Sequence, residues 1–115
     1  MEMDVRPLRE GLVKVTLTGR LDSPGVDRVE TRFMASLVPG GNNAIIDLSQ
    51  VDFVASLGIR MIVSAARSLK SRKALLAVYG AQAKVAQVFE VVSLGQIIPI
   101  CSTEAEAIAA VAPSV

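Results

Sequence analysis

The stretch "IIDLSQVDFVASLGIRM", residues 45–61, decides how the rest of the chain is read. It opens inside a short apolar run, "AIIDLS" (Ala44–Ser49), that follows the turn residues "VPGGNN". A run this short and dense suits an interior strand covered on both faces. The pattern then predicts that the strand ends near Asp47 and that an exposed turn follows, with "VDFV" (residues 51–54) tucking two or three apolar groups inward. From Leu57 the period changes. Ile59, Ile62, Val63, Ala66 and Leu69 share one stripe, which predicts a helix over 57–69. Between strand and helix stands one small hydroxyl, Ser56. A serine at a helix tip can cap it by accepting a bond from one of the first unpaired amides. Those amides and the positive end of the helix dipole would equally accommodate a phosphate on the same oxygen. Gly58, with no side chain, would let another backbone or a phosphate come close. Capping and switching are compatible, and the residues alone leave both open.

Outward from this stretch, strand and helix periods alternate. "LVKVTLTG" (residues 12–19) puts Val13, Val15 and Leu17 on one parity and Lys14, Thr16 and Thr18 on the other, as a half-exposed strand does. Met3 and Val5 suggest a short strand before it, with "PLREG" as the turn of an N-terminal hairpin. Val26, Val29, Phe33 and Leu37 recur at helical spacing after Ser23-Pro24, a helix-start signal because proline loses nothing where the amide would be unpaired anyway. "ALLAVYG" (residues 74–80) reads as a buried strand and "AQAKVAQVFEVV" (residues 81–92) as an amphipathic helix. "QIIPI" (residues 96–100) reads as a last short strand. "STEAEAIAAV" (residues 102–111) is a final helix opened by a capping box on Ser102 or Thr103. The order ββαβαβαβα predicts an α/β fold: a mixed, mostly parallel sheet with four helices and an antiparallel pair at its N-terminal edge.

Composition narrows function further. The 115 residues fit one domain, residues 1–115, and a 51% hydrophobic share is enough to build its core. A net charge of +1 argues against a broad grip on nucleic acid. The one basic cluster, "RSLKSRK" (residues 67–73), reads as cations complementing a helix C-terminus. No apolar stretch is long enough to span a bilayer, and "MEMDVRPLRE" lacks the apolar block of a signal peptide, so a cytoplasmic protein without membrane insertion is expected. With no histidine, imidazole acid–base schemes and triads are excluded. The lone Cys101 cannot form an internal disulfide or a cysteine metal cluster and reads as a structural thiol. No catalytic residue, metal site or cofactor is expected, and the chain reads as a binding protein rather than an enzyme.

"TLTGRLD", "DLSQVDFVASLGIR" and "VAQVFEVVSLGQIIPICSTEAEAIAAV" stand in the order and spacing of STAS domains, specifically those of bacterial anti-sigma factor antagonists. The likeness runs over essentially the whole chain. It implies a curved mixed sheet with helices largely on one side. It also implies that Ser56, two residues before the turn glycine Gly58, is phosphorylated by a partner that is both anti-sigma factor and serine kinase, of the histidine-kinase-like ATPase fold. A PP2C-type phosphatase would be a further partner. Asp22, which closes the "LTGELD"-like strand end, is implied to lie beside the phosphorylation loop, and Asp47 and Asp52 match the same pattern. The implied partner surface comprises Asp22, Ser23, Asp52, Ser56, Leu57, Gly58 and Arg60. From the residues alone, Asp22 reads equally as a solvated turn residue, Asp47 and Asp52 as acids satisfying local amides, and Arg60 as an exposed first-turn side chain. Ala55 and bulky Leu57 depart from the usual neighbours of the serine. That keeps a second function open, a non-phosphorylated STAS subunit of a transporter or signalling scaffold.

Overall fold

In the computed structural model, which describes residues 1–112, the chain runs β1 (Glu2–Arg9), β2 (Leu12–Leu21), α1 (Ser23–Leu37), β3 (Asn43–Val54), α2 (Ser56–Ser71), β4 (Leu76–Tyr79), α3 (Ala83–Val91), β5 (Ile100–Cys101) and α4 (Glu104–Val111). The last three residues of the expected domain lie outside the described part. Strand order in the sheet is β1-β2-β3-β4-β5. β1 and β2, joined by a tight turn, are antiparallel, and every later pair, joined through a helix, is parallel. The expected architecture is therefore the observed one.

The two sheet faces are covered unequally. Val15 and Leu17 of β2 and Ala44, Ile46 and Leu48 of β3 pack with α1 (Val26, Val29, Phe33, Leu37), α2 (Met61, Ile62, Ala65, Leu69) and α3 (Val85, Phe89). Opposite them, Leu12, Ile45, Ala77 and Tyr79 meet Ala107 and Val111 of α4. β3 is thus buried on both sides, as its dense apolar run requires.

Three expectations about element ends are corrected. The N-terminal turn is not "PLREG": β1 continues through Arg9, and only Glu10 and Gly11 turn, with Gly11 in the left-handed region at φ 81°. Pro7 is tolerated within β1 because β1 is an edge strand. β3 does not stop near Asp47 but runs to Val54. Its register against β2 slips between Thr16–Asp47 and Thr18–Gln50, and again between Gly19–Val51 and Arg20–Phe53. Each slip is a one-residue bulge that re-phases the alternation, so Leu48, Val51 and Val54, three apart, all point inward. An inward spacing of three is not a strand period, which is why the segment resembles a turn in sequence. "QIIPI" is mostly not strand. Ser93, at φ 57°, starts a 3-10 turn over Leu94–Gln96, and only Ile100 and Cys101 pair with β4. Pro99 cannot donate to a ladder, but its carbonyl accepts from the Val78 amide at 3.1 Å.

Of the two residues left open at the last helix, Thr103 is the cap. Its Oγ1 accepts from the Glu106 amide at 3.2 Å, and Glu106 Oε1 accepts from the Thr103 amide at 3.2 Å. At the other end of the basic cluster, Arg72 donates to the Pro39 carbonyl at 2.9 Å. The half-buried Cys101 thiol is pushed up by burial and stays protonated.

Beside α4, Tyr79 Oη donates to Glu104 Oε1 at 3.3 Å, and Lys14 Nζ lies 2.8 Å from the same oxygen. Burial pushes the Tyr79 hydroxyl up to about 12. An unfolded tyrosine ionises near pH 10, so the fold is expected to lose stability as pH rises from about 10 to about 12, not below. Tyr79 is the only tyrosine and there is no tryptophan, so tyrosinate absorbance followed beside circular dichroism checks this directly. Ionisation near pH 10 with the fold intact would contradict it.

Candidate functional site

The C-terminal ends of β2 and β3 carry the starts of α1 and α2, and Leu21 joins them. Its carbonyl accepts from the Ala55 amide at 3.0 Å, and its side chain packs beneath Gly58. A Cβ on residue 58 would stand 2.6 Å from Leu21 Cγ and 2.9 Å from the Leu21 carbonyl oxygen. Gly58 therefore lets α2 settle on the end of β2. It is buried, and its missing side chain serves the fold rather than an incoming phosphate. Replacing it with alanine is expected to cost about 1–2 kcal/mol, the overpacking penalty less the gain in helix propensity. Urea denaturation checks this, and an unchanged midpoint would refute the packing account.

At the start of α1, Asp22 rather than Ser23 is the cap. Asp22 Oδ1 accepts from the Gly25 amide at 2.9 Å and Oδ2 from Arg20 Nε at 3.2 Å. The Gly25 amide, aided by the Arg20 guanidinium, holds the Asp22 carboxyl below the usual range, so it carries its charge at neutral pH. Ser23 is the first helical residue and is exposed, followed by Pro24. Asp22 is thus more than a solvated turn residue: it organises the junction.

At the start of α2 the capping reading of Ser56 fails. Ala55 holds the cap position with extended backbone, at φ −107° and ψ 171°, and Ser56 is the first residue of the helix itself. The Gly58 and Ile59 amides turn back to the Ala55 carbonyl at 2.9 and 3.2 Å. No side chain caps this end and no acidic residue lies in its first turn. Among the described residues the Ser56 hydroxyl makes no hydrogen bond, and the residue is exposed. An uncapped N-terminus leaves its amides and dipole uncompensated beside a free hydroxyl.

Two exposed apolar side chains flank Ser56 along the chain. Leu57 is 39% exposed and Phe53, three residues before Ser56, is 38% exposed. The Arg20 guanidinium lies over the Phe53 ring, 4.3 Å from its centre. Arg60 stands four residues after Ser56, on the same helix face, exposed and without an ion pair among the described residues. Asp52 is exposed at the second bulge of β3. Asp47 is turned inward locally, accepting from the Ser49 amide at 2.9 Å and the Ser49 hydroxyl at 2.7 Å.

The junction thus gathers Asp22, Ser23, Ser56, Leu57, Gly58 and Arg60, with Gly58 underneath. Phe53 and Arg20 were not among the expected site residues. The only hint in sequence is that "FV" puts two large apolar residues side by side in a strand, where one of them must face outward. Among the described residues no cluster of three His, Cys, Asp or Glu side chains is arranged to hold a metal, and no helix is long and apolar enough to cross a membrane.

The STAS domain family model matches residues 5–107. The chain belongs to the STAS domain family. The anti-sigma-B factor antagonist of Listeria monocytogenes is 28% identical over 94 residues, 82% of each chain. The crystal structure of an anti-sigma factor antagonist from Mycobacterium paratuberculosis superposes with a TM-score of 0.83 at 21% identity, covering 96% of this chain and 92% of that one. The unphosphorylated anti-sigma factor antagonist SpoIIAA superposes with a TM-score of 0.78 at 21% identity, covering 94% of both chains. These likenesses fix the STAS fold. STAS anti-sigma factor antagonists are non-enzymatic binding modules.

Proposed function

We propose that this STAS domain is an anti-sigma factor antagonist, whose Ser56 face binds an anti-sigma factor and is switched by phosphorylation of Ser56. The observation that carries the reading is the exposed Ser56 hydroxyl at a helix start without a side-chain cap, flanked along the chain by the exposed Phe53 and Leu57. Unphosphorylated, this face offers the partner two exposed apolar anchors, a neutral hydroxyl and the solvated Arg60 and Asp52. The partner is a serine kinase of the histidine-kinase-like ATPase fold, and it supplies ATP and Mg²⁺. Ser56 Oγ takes the γ-phosphoryl group, its proton is released and ADP leaves. The new phosphoserine carries about −1.5 to −2 charge at pH 7. The free amides of the first turn and Arg60 on the same face tolerate that charge within the domain. An interface built for a neutral hydroxyl does not, and the partner is expelled by like-charge repulsion and desolvation. A PP2C-type phosphatase would restore the binding form.

Incubation with a kinase of that fold and Mg-ATP, read by intact-mass spectrometry, tests the site. One phosphate is expected on the wild-type chain and none on Ser56→Ala. Phosphate appearing unchanged on the alanine variant rejects Ser56. Binding without any phosphate transfer would favour the alternative, a STAS subunit of a transporter or scaffold.

A further inference from the structure

A sheet ordered β1-β2-β3-β4-β5 has two free edges. β5 offers two residues there and β1 offers eight. Long edges invite pairing unless proline, charge or an overlying element blunts them. On β1 the features of that kind leave a self-complementary set of groups. Within a strand, the N–H and C=O of one residue point to the same side, and successive residues alternate. Arg32 of α1 donates to the Met3 carbonyl at 3.1 Å, and Pro7 has no N–H to give. Met3, Val5 and Pro7 therefore direct their backbone groups away from β2, while Glu2, Asp4 and Arg6 hold the ladder opposite Thr18, Thr16 and Lys14. Met3 N–H, Val5 N–H, Val5 C=O and Pro7 C=O remain outward. These are two donors and two acceptors, symmetric about Val5.

We propose that two copies of this chain pair antiparallel along β1, about a two-fold axis at Val5, to form one continuous ten-stranded sheet. Met3 N–H then donates to the Pro7 carbonyl of the second copy, Val5 N–H to the Val5 carbonyl of the second copy, and the axis repeats both bonds. The missing donor, the Pro7 nitrogen, falls opposite the Met3 carbonyl that Arg32 already serves. Side chains select the same register. Asp4 and Arg6, exposed on one face of β1 and 3.9 Å apart, each lie opposite the other residue of the second copy. That pair is a non-hydrogen-bonded one, where side chains approach closely. A slip of two residues in either direction would set Asp4 against Asp4 or Arg6 against Arg6. A slip of one would point the outward groups of one strand at the inward groups of the other. The axis lies at the edge away from β3, so both Ser56 faces stay open. One strand per copy makes a contact smaller than the roughly 1,200–2,000 Å² of stable complexes, so the pairing is weak and concentration-dependent.

Sedimentation equilibrium of the full chain from about 10 μM to about 1 mM, the range a weak association needs, tests the proposal. The weight-average mass is expected to rise from one chain toward two. Asp4→Arg and Arg6→Asp, each alone, should remain at one chain, because each brings like charges together. Mixing the two variants in equal amounts should recover the two-chain mass, since every cross-strand pair is then opposite in sign. That recovery also shows both variants to be folded. A constant single-chain mass up to about 1 mM overturns the proposal, as does a dimer that survives both single reversals.

Discussion

Glutamate in place of Ser56 is expected to weaken binding to the anti-sigma factor about 100-fold while leaving the melting temperature unchanged or slightly raised. The two effects have opposite signs because they arise on opposite sides of the same oxygen. Toward the domain, a carboxylate at the first position of α2 meets free amides and an uncompensated dipole, a contact that stabilises a helix by about 0.3–1 kcal/mol. No acid already occupies that turn and no side chain caps it, so the gain is not redundant. Toward the partner, the carboxylate enters the proposed contact surface beside the exposed Leu57, where association strips its water. A 100-fold loss corresponds to about 2.8 kcal/mol, within the cost of leaving one interfacial charge unpaired. Isothermal titration calorimetry and thermal melting on the same preparations separate the two. Ser56→Ala should bind as the wild type does. Equal affinity of the glutamate variant and the wild type would refute the charge switch, and a large fall in melting temperature would refute the account of the helix start.

Phe33→Ala is expected to remove about 3–5 kcal/mol, the cost of deleting a buried aromatic ring and leaving its cavity. Phe33 is fully buried, 0% exposed, in the middle of α1, among the residues that seal α1, α2 and the sheet. Total stability of a domain this size is about 5–15 kcal/mol, so this one change takes a large share of it. Urea unfolding should show a much lower midpoint with an unchanged slope. A loss under about 1 kcal/mol would mean that α1 packs differently from the arrangement described here.

The fold was legible wherever one period ruled a segment. Val13, Val15 and Leu17, the stripe through Phe33, and the dense run before Asp47 all lie where their spacing predicts. It was illegible where two devices overlap. The bulges of β3 set Leu48, Val51 and Val54 at a spacing of three, and a sequence cannot show a slip that depends on what β2 does opposite. Pro99 and Ser93 hide a 3-10 turn inside "SLGQIIPI", which on apolar content alone resembles a strand. At the candidate site the place of Ser56 at a helix start was legible, but its hydrogen bonding was not. Capping depends on one residue of phase, and Ala55 occupies the position a serine would need. Arg20 and Phe53 meet only because the second bulge brings their strands into that register.

Leu21 holds two helix starts on a single residue. The start of α1 follows it directly, the start of α2 hangs from its carbonyl, and Gly58 rests on its side chain. If the proposed face binds a partner, those two ties hold both helix starts in place beforehand, so association would forfeit little conformational freedom. Under the proposed switch, a binder would then be captured rapidly and released by one covalent event, with no refolding between cycles.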